Sequence, residues 1–299
     1  MDKILEVKNL VKKFGDFTAV NDLSFDVFEG DVYGFLGPNG AGKSTTLRMI
    51  LGLIYSNAGQ INFLGEQLKH DSRNYLNQIG ALIERPDFYG NLSAFDNLKI
   101  LGEMSKISNL DNRIIEVLEQ VNLIKRKDSK VKTFSQGMKQ RLGIAQAIIH
   151  KPKLVILDEP SNGLDPQGQY DIKKLIKSIN KDMGITVLFS SHILTEVEEV
   201  CNRMIIINNG SKIKEGNVAD LMNEDVLNVS IKSSNNEKMI ETIINLPYKF
   251  NKLENGIIME LQESKIPSVV KYLTEHNIEI LELNQNRSLE NYFLKIINN

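Results

Sequence analysis

The sequence predicts an α/β protein in which a helical segment interrupts a largely parallel sheet, followed by a small C-terminal α+β unit. Three observations carry that prediction. Short apolar runs alternate with helical periodicity over the first two thirds of the chain, the stretch from Ser93 to about His150 is mostly helical, and the texture changes after Gly216. The length agrees, since 299 residues exceed one ordinary domain. The expected division is 1–217 and 218–299, with the helical insertion at about 85–150.

In chain order, Leu5–Leu10 and Ala19–Val27 read as strands ending at the turn Glu29-Gly30-Asp31, and Val32–Leu36 as a third. Residues 41–54 turn helical, Gly59–Leu64 returns to strand, and Gln78–Ile83 is a strand leading into the insertion. Apolar residues three and four apart predict helices at Ala94–Met104, Leu110–Val121 and Gly137–Ile149. Lys153–Leu157, behind Pro152, is a short apolar run of the kind a parallel strand buried on both faces requires. Helix Gln169–Lys181, strand Thr186–Phe189, helix Leu194–Cys201 and strand Arg203–Ile207 continue the alternation. Beyond Gly216, strands Val226–Lys232, Gly256–Leu261 and Ile278–Leu283 alternate with helices Glu237–Asn245, Ile266–His276 and Ser288–Ile297. That unit carries no motif tied to chemistry.

Composition narrows the class. A hydrophobic fraction of 41% supplies a packed core. A net charge of −2 gives no pull toward nucleic acid or anionic lipid. The longest apolar run, Met49–Tyr55 with Gly52 inside it, falls far short of the roughly 20 residues a spanning helix needs. The opening MDKILEV lacks the basic start and apolar stretch of a secretory signal. Cys201, the one cysteine, excludes an internal disulfide and a cysteine-rich metal site, and reads as a small apolar filler.

Gly37-Pro38-Asn39-Gly40-Ala41-Gly42-Lys43-Ser44 matches G-x-x-x-x-G-K-[ST] between a strand and a helix, where a phosphate loop must lie. Glycines let backbone N–H groups converge on phosphate oxygens, and the helix N-terminus adds positive potential. Gly37, Asn39, Gly40, Gly42, Lys43, Ser44 and Thr45 are therefore candidate contacts to ATP, with Lys43 reaching the β- and γ-phosphates and Ser44 ligating Mg²⁺. Four apolar residues, Leu154 to Leu157, deliver Asp158 and Glu159 to the C-terminal tip of a strand, where ligands gather in such sheets. Asp158 is a candidate Mg²⁺ residue and Glu159 a candidate general base.

Further segments follow in order: Phe134-Ser135-Gln136-Gly137-Met138, then Ser161-Asn162-Gly163-Leu164-Asp165, then Ser190-Ser191-His192. Together with the phosphate loop they resemble the ATP-binding cassette (ABC) transporter ATPases over residues 4 to about 215. The resemblance implies a P-loop NTPase cassette with an antiparallel β subdomain and an inserted helical subdomain. It implies that Ser135 and Gly137 contact the γ-phosphate of nucleotide held by the opposite subunit, that Asp165 belongs to the D-loop, and that His192 senses the γ-phosphate. Gln136 and Met138 depart from the usual signature, and their roles stay open. Phe14 resembles the aromatic that stacks on adenine, with a core phenylalanine as the alternative. His70, His150 and His276 match no motif and read as surface or structural residues.

A glutamine normally follows the strand into the helical insertion in this family, binding Mg²⁺ and the attacking water. Glu84 stands there instead, followed by Arg85-Pro86, and a carboxylate also binds a hard cation. With Pro86, Phe88-Tyr89-Gly90 and the length of residues 218–299, this resembles the lantibiotic-immunity and bacitracin-resistance branch. The resemblance implies a head-to-tail dimer of this chain, or of this chain with a homologous ATPase subunit. It also implies a separate membrane permease that holds the chain peripherally at the inner, cytoplasmic face, and export of a peptide antibiotic. Another small-molecule exporter, an importer ATPase and a soluble ABC ATPase are the competing readings.

Overall fold

The computed structural model describes residues 2–69, 73–84, 86–223, 227–244, 246–253 and 255–286. The chain divides into two compact units, Met1–Val218 and Ala219–Asn299.

The first unit opens with a hairpin of β1 (Lys3–Phe14) and β2 (Phe17–Phe28). Next come β3 (Val32–Leu36), α1 (Lys43–Ile50), β4 (Ala58–Phe63), β5 (Glu66–Gln67) and β6 (Ile79–Leu82). Three helices follow, α2 (Ala94–Met104), α3 (Leu110–Gln120) and α4 (Gln136–Ile148). The unit closes with β7 (Leu154–Asp158), α5 (Pro166–Met183), β8 (Thr186–Ser191), α6 (Leu194–Val200), β9 (Arg203–Asn208) and β10 (Ser211–Asn217). A short helix, α7 (Val218–Asn223), leads out of it.

Two sheets build this unit. One is antiparallel in the order β2-β1-β4-β5, and the other runs β10-β9-β3-β8-β7-β6, parallel except for the edge strand β10. Every residue of β3, β7 and β8 is buried, which explains the short apolar runs Val32–Leu36, Leu154–Leu157 and Val187–Phe189. The antiparallel sheet and the central sheet share one core, in which Phe25 meets Phe35 edge-on with ring centroids 5.2 Å apart. Each fully buried aliphatic or aromatic side chain there contributes roughly 1.5–3 kcal/mol.

The helical insertion has its own devices. Ser93 and Asp96 form a capping box that starts α2. Buried Arg113 on α3 donates to the carbonyls of Ile148 and Ile149 at 2.7 and 2.8 Å, satisfying the end of α4 and joining the two helices.

The second unit contains β11 (Leu227–Ser233), α8 (Asn236–Ile243), β12 (Phe250–Leu253), β13 (Gly256–Leu261), α9 (Ile266–Glu275) and β14 (Ile280–Asn286). Its antiparallel order β12-β13-β11-β14 is a split βαβ arrangement. Leu227, Val229 and Ile231 alternate with polar residues and pack with Met239, Ile243, Val269 and Leu273 into a separate core.

Some elements differ from the sequence reading. β1 and β2 extend to Phe14 and Phe17, because bulges keep their ladder running past the apolar stretch. β10 and β12 are edge strands of mostly polar or exposed residues, so they carry no hydrophobic alternation. The expected helix Ser288–Ile297, the first residue of the expected strand at Val226, and His70 lie outside the described residues.

Candidate nucleotide site

The phosphate loop leaves β3 at its buried end and enters α1 through Gly42, whose φ is 100°. A side chain there would be strained, and its Cβ would lie 2.5 Å from the Ala19 carbonyl oxygen. α1 begins at Lys43 without a side-chain cap, so no side chain takes the place of an anion at its first N–H groups. Lys43 is buried, and its ammonium donates to the carbonyls of Gly37 at 2.8 Å and Pro38 at 3.1 Å. The glycine cradle, the uncapped helix start and the buried cation fit a phosphate chain. Ser44 and Thr45 occupy the first turn of α1, half-buried, while Asn39 and Gly40 are exposed at the loop tip.

The second half of the site comes from the ends of β7 and β8. Asp158 is buried at the tip of β7 and accepts a short hydrogen bond from the Ser190 hydroxyl. The same hydroxyl accepts the N–H of Glu159 at 3.0 Å. Glu159 has a left-handed backbone, φ 46°, uncommon for a residue with a side chain. Its carboxylate meets three groups: the Lys43 ammonium at 3.2 Å, His192 Nδ1 at 3.2 Å and the Asn162 amide at 3.2 Å.

The signature residues form a different cluster. Ser135 caps α4, accepting the Met138 N–H at 3.3 Å, and Asp165 caps α5, accepting the Gly168 N–H at 3.0 Å. Ser135, Gly137 and Asp165 line a cleft of about 410 Å³ that includes none of Gly37–Ser44. Gln136, whose role the sequence left open, donates to the Asn162 carbonyl at 3.4 Å and so ties the signature segment to the loop beside Glu159.

Glu84 follows β6, two residues past Leu82. It is exposed, has φ 65°, and pairs with Arg48 on α1. Phe14 is not a core residue: it is 51% exposed, with the Lys12 ammonium 4.9 Å from its ring centroid. His150 Nε2 lies 3.2 Å from the Ile79 carbonyl, and His276 packs on Tyr272, so both make local structural contacts.

Residues 20–162 match the family model described as ABC transporter. Over 305 residues, the chain is 39% identical to the bacitracin transport ATP-binding protein BcrA of Bacillus licheniformis, spanning 99% of this chain and 98% of that one. The chain belongs to the ABC transporter ATP-binding proteins. It is also 42% identical over 230 residues to the lantibiotic transport ATP-binding protein SrtF of Streptococcus pyogenes, which spans 75% of this chain and 98% of SrtF. Among solved structures, it resembles a dimeric ATP-binding cassette in a post-hydrolysis state with bound ADP and phosphate. The TM-score is 0.64 at 25% identity, over 72% of this chain and 98% of that one.

The protein is thus an ABC ATPase, binding nucleotide and hydrolysing ATP in a reaction coupled to transport. Two members of this ABC site escaped the sequence reading as individual residues, Ser190 and Asn162. Ser190 had one available signal: a hydroxyl on a fully buried apolar strand must find a hydrogen-bond partner. Asn162 had a local one, its place three residues after Glu159 inside the segment Ser161–Asp165.

Proposed function

We propose that this ABC ATPase powers export of a peptide antibiotic, bacitracin-like or lantibiotic, through a separate membrane permease and so confers immunity or resistance. The observation that carries this reading is the nearly full-length alignment with the bacitracin transport protein, C-terminal unit included. No described helix is long and apolar enough to cross a membrane. Held by its permease, the chain would act peripherally at the cytoplasmic face. Its net charge of −2 offers no attraction to nucleic acid.

Within the site, Lys43 and the N–H groups of Gly37–Thr45 bind the ATP phosphates, and exposed Phe14 offers a ring to the adenine. Ser44 and Asp158 would hold Mg²⁺, which would compensate the phosphate charge. Glu159 accepts a proton from the attacking water, and His192 beside it contacts the γ-phosphate. Ser135 and Gly137 belong to the nucleotide of a second subunit, with Asp165 in the adjoining loop. The separation of their cleft from the phosphate loop supports a head-to-tail dimer in which each chain contributes half of two sites. Glu84, paired here with Arg48, would be a further residue to hold Mg²⁺ and would link the site to the permease.

The test is deletion of the gene in its native host, with susceptibility to bacitracin and to lantibiotics measured beside that to unrelated toxic small molecules. Increased susceptibility confined to the peptides is expected. Unchanged peptide susceptibility, with sensitisation to another class, would replace the peptide with that class.

A further inference from the structure

We propose that Glu196 is a positioning residue for hydrolysis, acting through Ser191 on the turn that carries His192. The proposal rests on the reading of His192 as part of the hydrolytic site. Ser191, the last residue of β8, and Glu196, in the first turn of α6, are both buried, 2% and 4% exposed. The Ser191 hydroxyl accepts the N–H of Ile193 at 2.9 Å, bracketing His192 in a tight turn. That hydroxyl has one proton and two acceptors in reach, Glu196 Oε2 at 2.7 Å and the Ile193 carbonyl at 3.2 Å.

Glu196 decides between them. A carboxylate is the stronger acceptor and draws the proton, leaving the lone pairs of the hydroxyl facing the Ile193 N–H. The turn is then fixed, with His192 Nδ1 3.2 Å from Glu159. The other oxygen of Glu196, Oε1, is buried and has no hydrogen-bond partner among the described residues. Burying a carboxylate with one oxygen unsatisfied disfavours folding, and a packed apolar side chain would avoid that penalty. The acid's place in the first turn of α6 offsets part of that penalty through the helix dipole, and its bond to Ser191 aims the turn.

The experiment compares ATP hydrolysis, ATP affinity and thermal unfolding of the full chain for Glu196→Met, Glu196→Gln, Ser191→Ala and His192→Ala. For Glu196→Met we expect kcat to fall about tenfold, KM to stay within about twofold, and the unfolding midpoint not to fall. Glu196→Gln should recover most of kcat, because its amide oxygen still accepts the Ser191 proton. Ser191→Ala should reproduce the loss, and the Ser191→Ala/Glu196→Met pair should be no worse than the poorer single variant. Wild-type kcat in Glu196→Met, or a loss that Gln does not restore, overturns the proposal. Should Glu196→Met fail to fold, wild-type kcat in Ser191→Ala overturns it equally. His192→Ala separates the two readings. If it keeps wild-type kcat, the hydrolytic role of His192 falls and this proposal with it, whereas its loss beside a wild-type Glu196→Met removes Glu196 alone.

Discussion

The ammonium of Lys43 lies 3.2 Å from Oε1 of Glu159, so the phosphate loop and the tip of β7 are joined by an ion pair. The same carboxylate touches His192 and Asn162 through its other oxygen. A triphosphate competes with Glu159 for the Lys43 charge. Binding ATP would exchange this internal pair for a phosphate contact and leave the carboxylate available to water.

If Glu159 is the base, Glu159→Gln keeps the shape of the site and loses the proton acceptor. ATP should still bind, while turnover falls roughly 10²- to 10⁴-fold. The variant should also form a dimer on addition of ATP, seen as an earlier peak in gel filtration. Near-normal turnover would remove Glu159 from that role.

Gly42→Ala places a Cβ at φ 100° and 2.5 Å from the Ala19 carbonyl oxygen. The backbone strain alone costs about 1–2 kcal/mol, and relief of the clash must move the start of α1. Calorimetric titration should therefore show loss of ATP binding, with a lowered urea midpoint. Wild-type affinity would mean that the loop tolerates a shift at its helix entrance.

Glu84→Gln breaks an exposed ion pair with Arg48. Such pairs contribute about 0–1 kcal/mol, so unfolding should barely change. Hydrolysis by the isolated subunit should stay largely intact while cells become more sensitive to the peptide antibiotic. Unchanged resistance would take away the link between Glu84 and transport.

The second unit has its own core, in which Met259 is fully buried. Expressed alone, residues 219–299 should unfold cooperatively by circular dichroism. Met259→Ala should cost about 2–5 kcal/mol in that fragment. A non-cooperative melt of the parent fragment would show that its core does not suffice.

Much of the cassette was legible because its signals are local. The phosphate loop announces itself through glycines and a lysine at fixed spacing, and β7 through an apolar run ending in two acids. Helix α2 matches its expected span, since Ser93 and Asp96 write a capping box into the chain. Edge strands β10 and β12 were invisible for a physical reason: a half-exposed edge needs no apolar alternation. Phe14 could be narrowed to two readings, but its exposure depends on what packs against the hairpin.

By itself the sequence determined the family, the phosphate loop and the identity of the acids and histidine around it, because each is encoded within a few consecutive residues. Only the tertiary structure decided who touches whom. Parallel pairing of β7 with β8 sets Asp158 beside Ser190, and the loops beyond carry Glu159, His192 and Asn162 into contact. The same folding leaves Glu84 with Arg48 and brings Ser191 to Glu196. Those distances follow from sheet register and helix packing, which sum contributions from residues far apart in the chain.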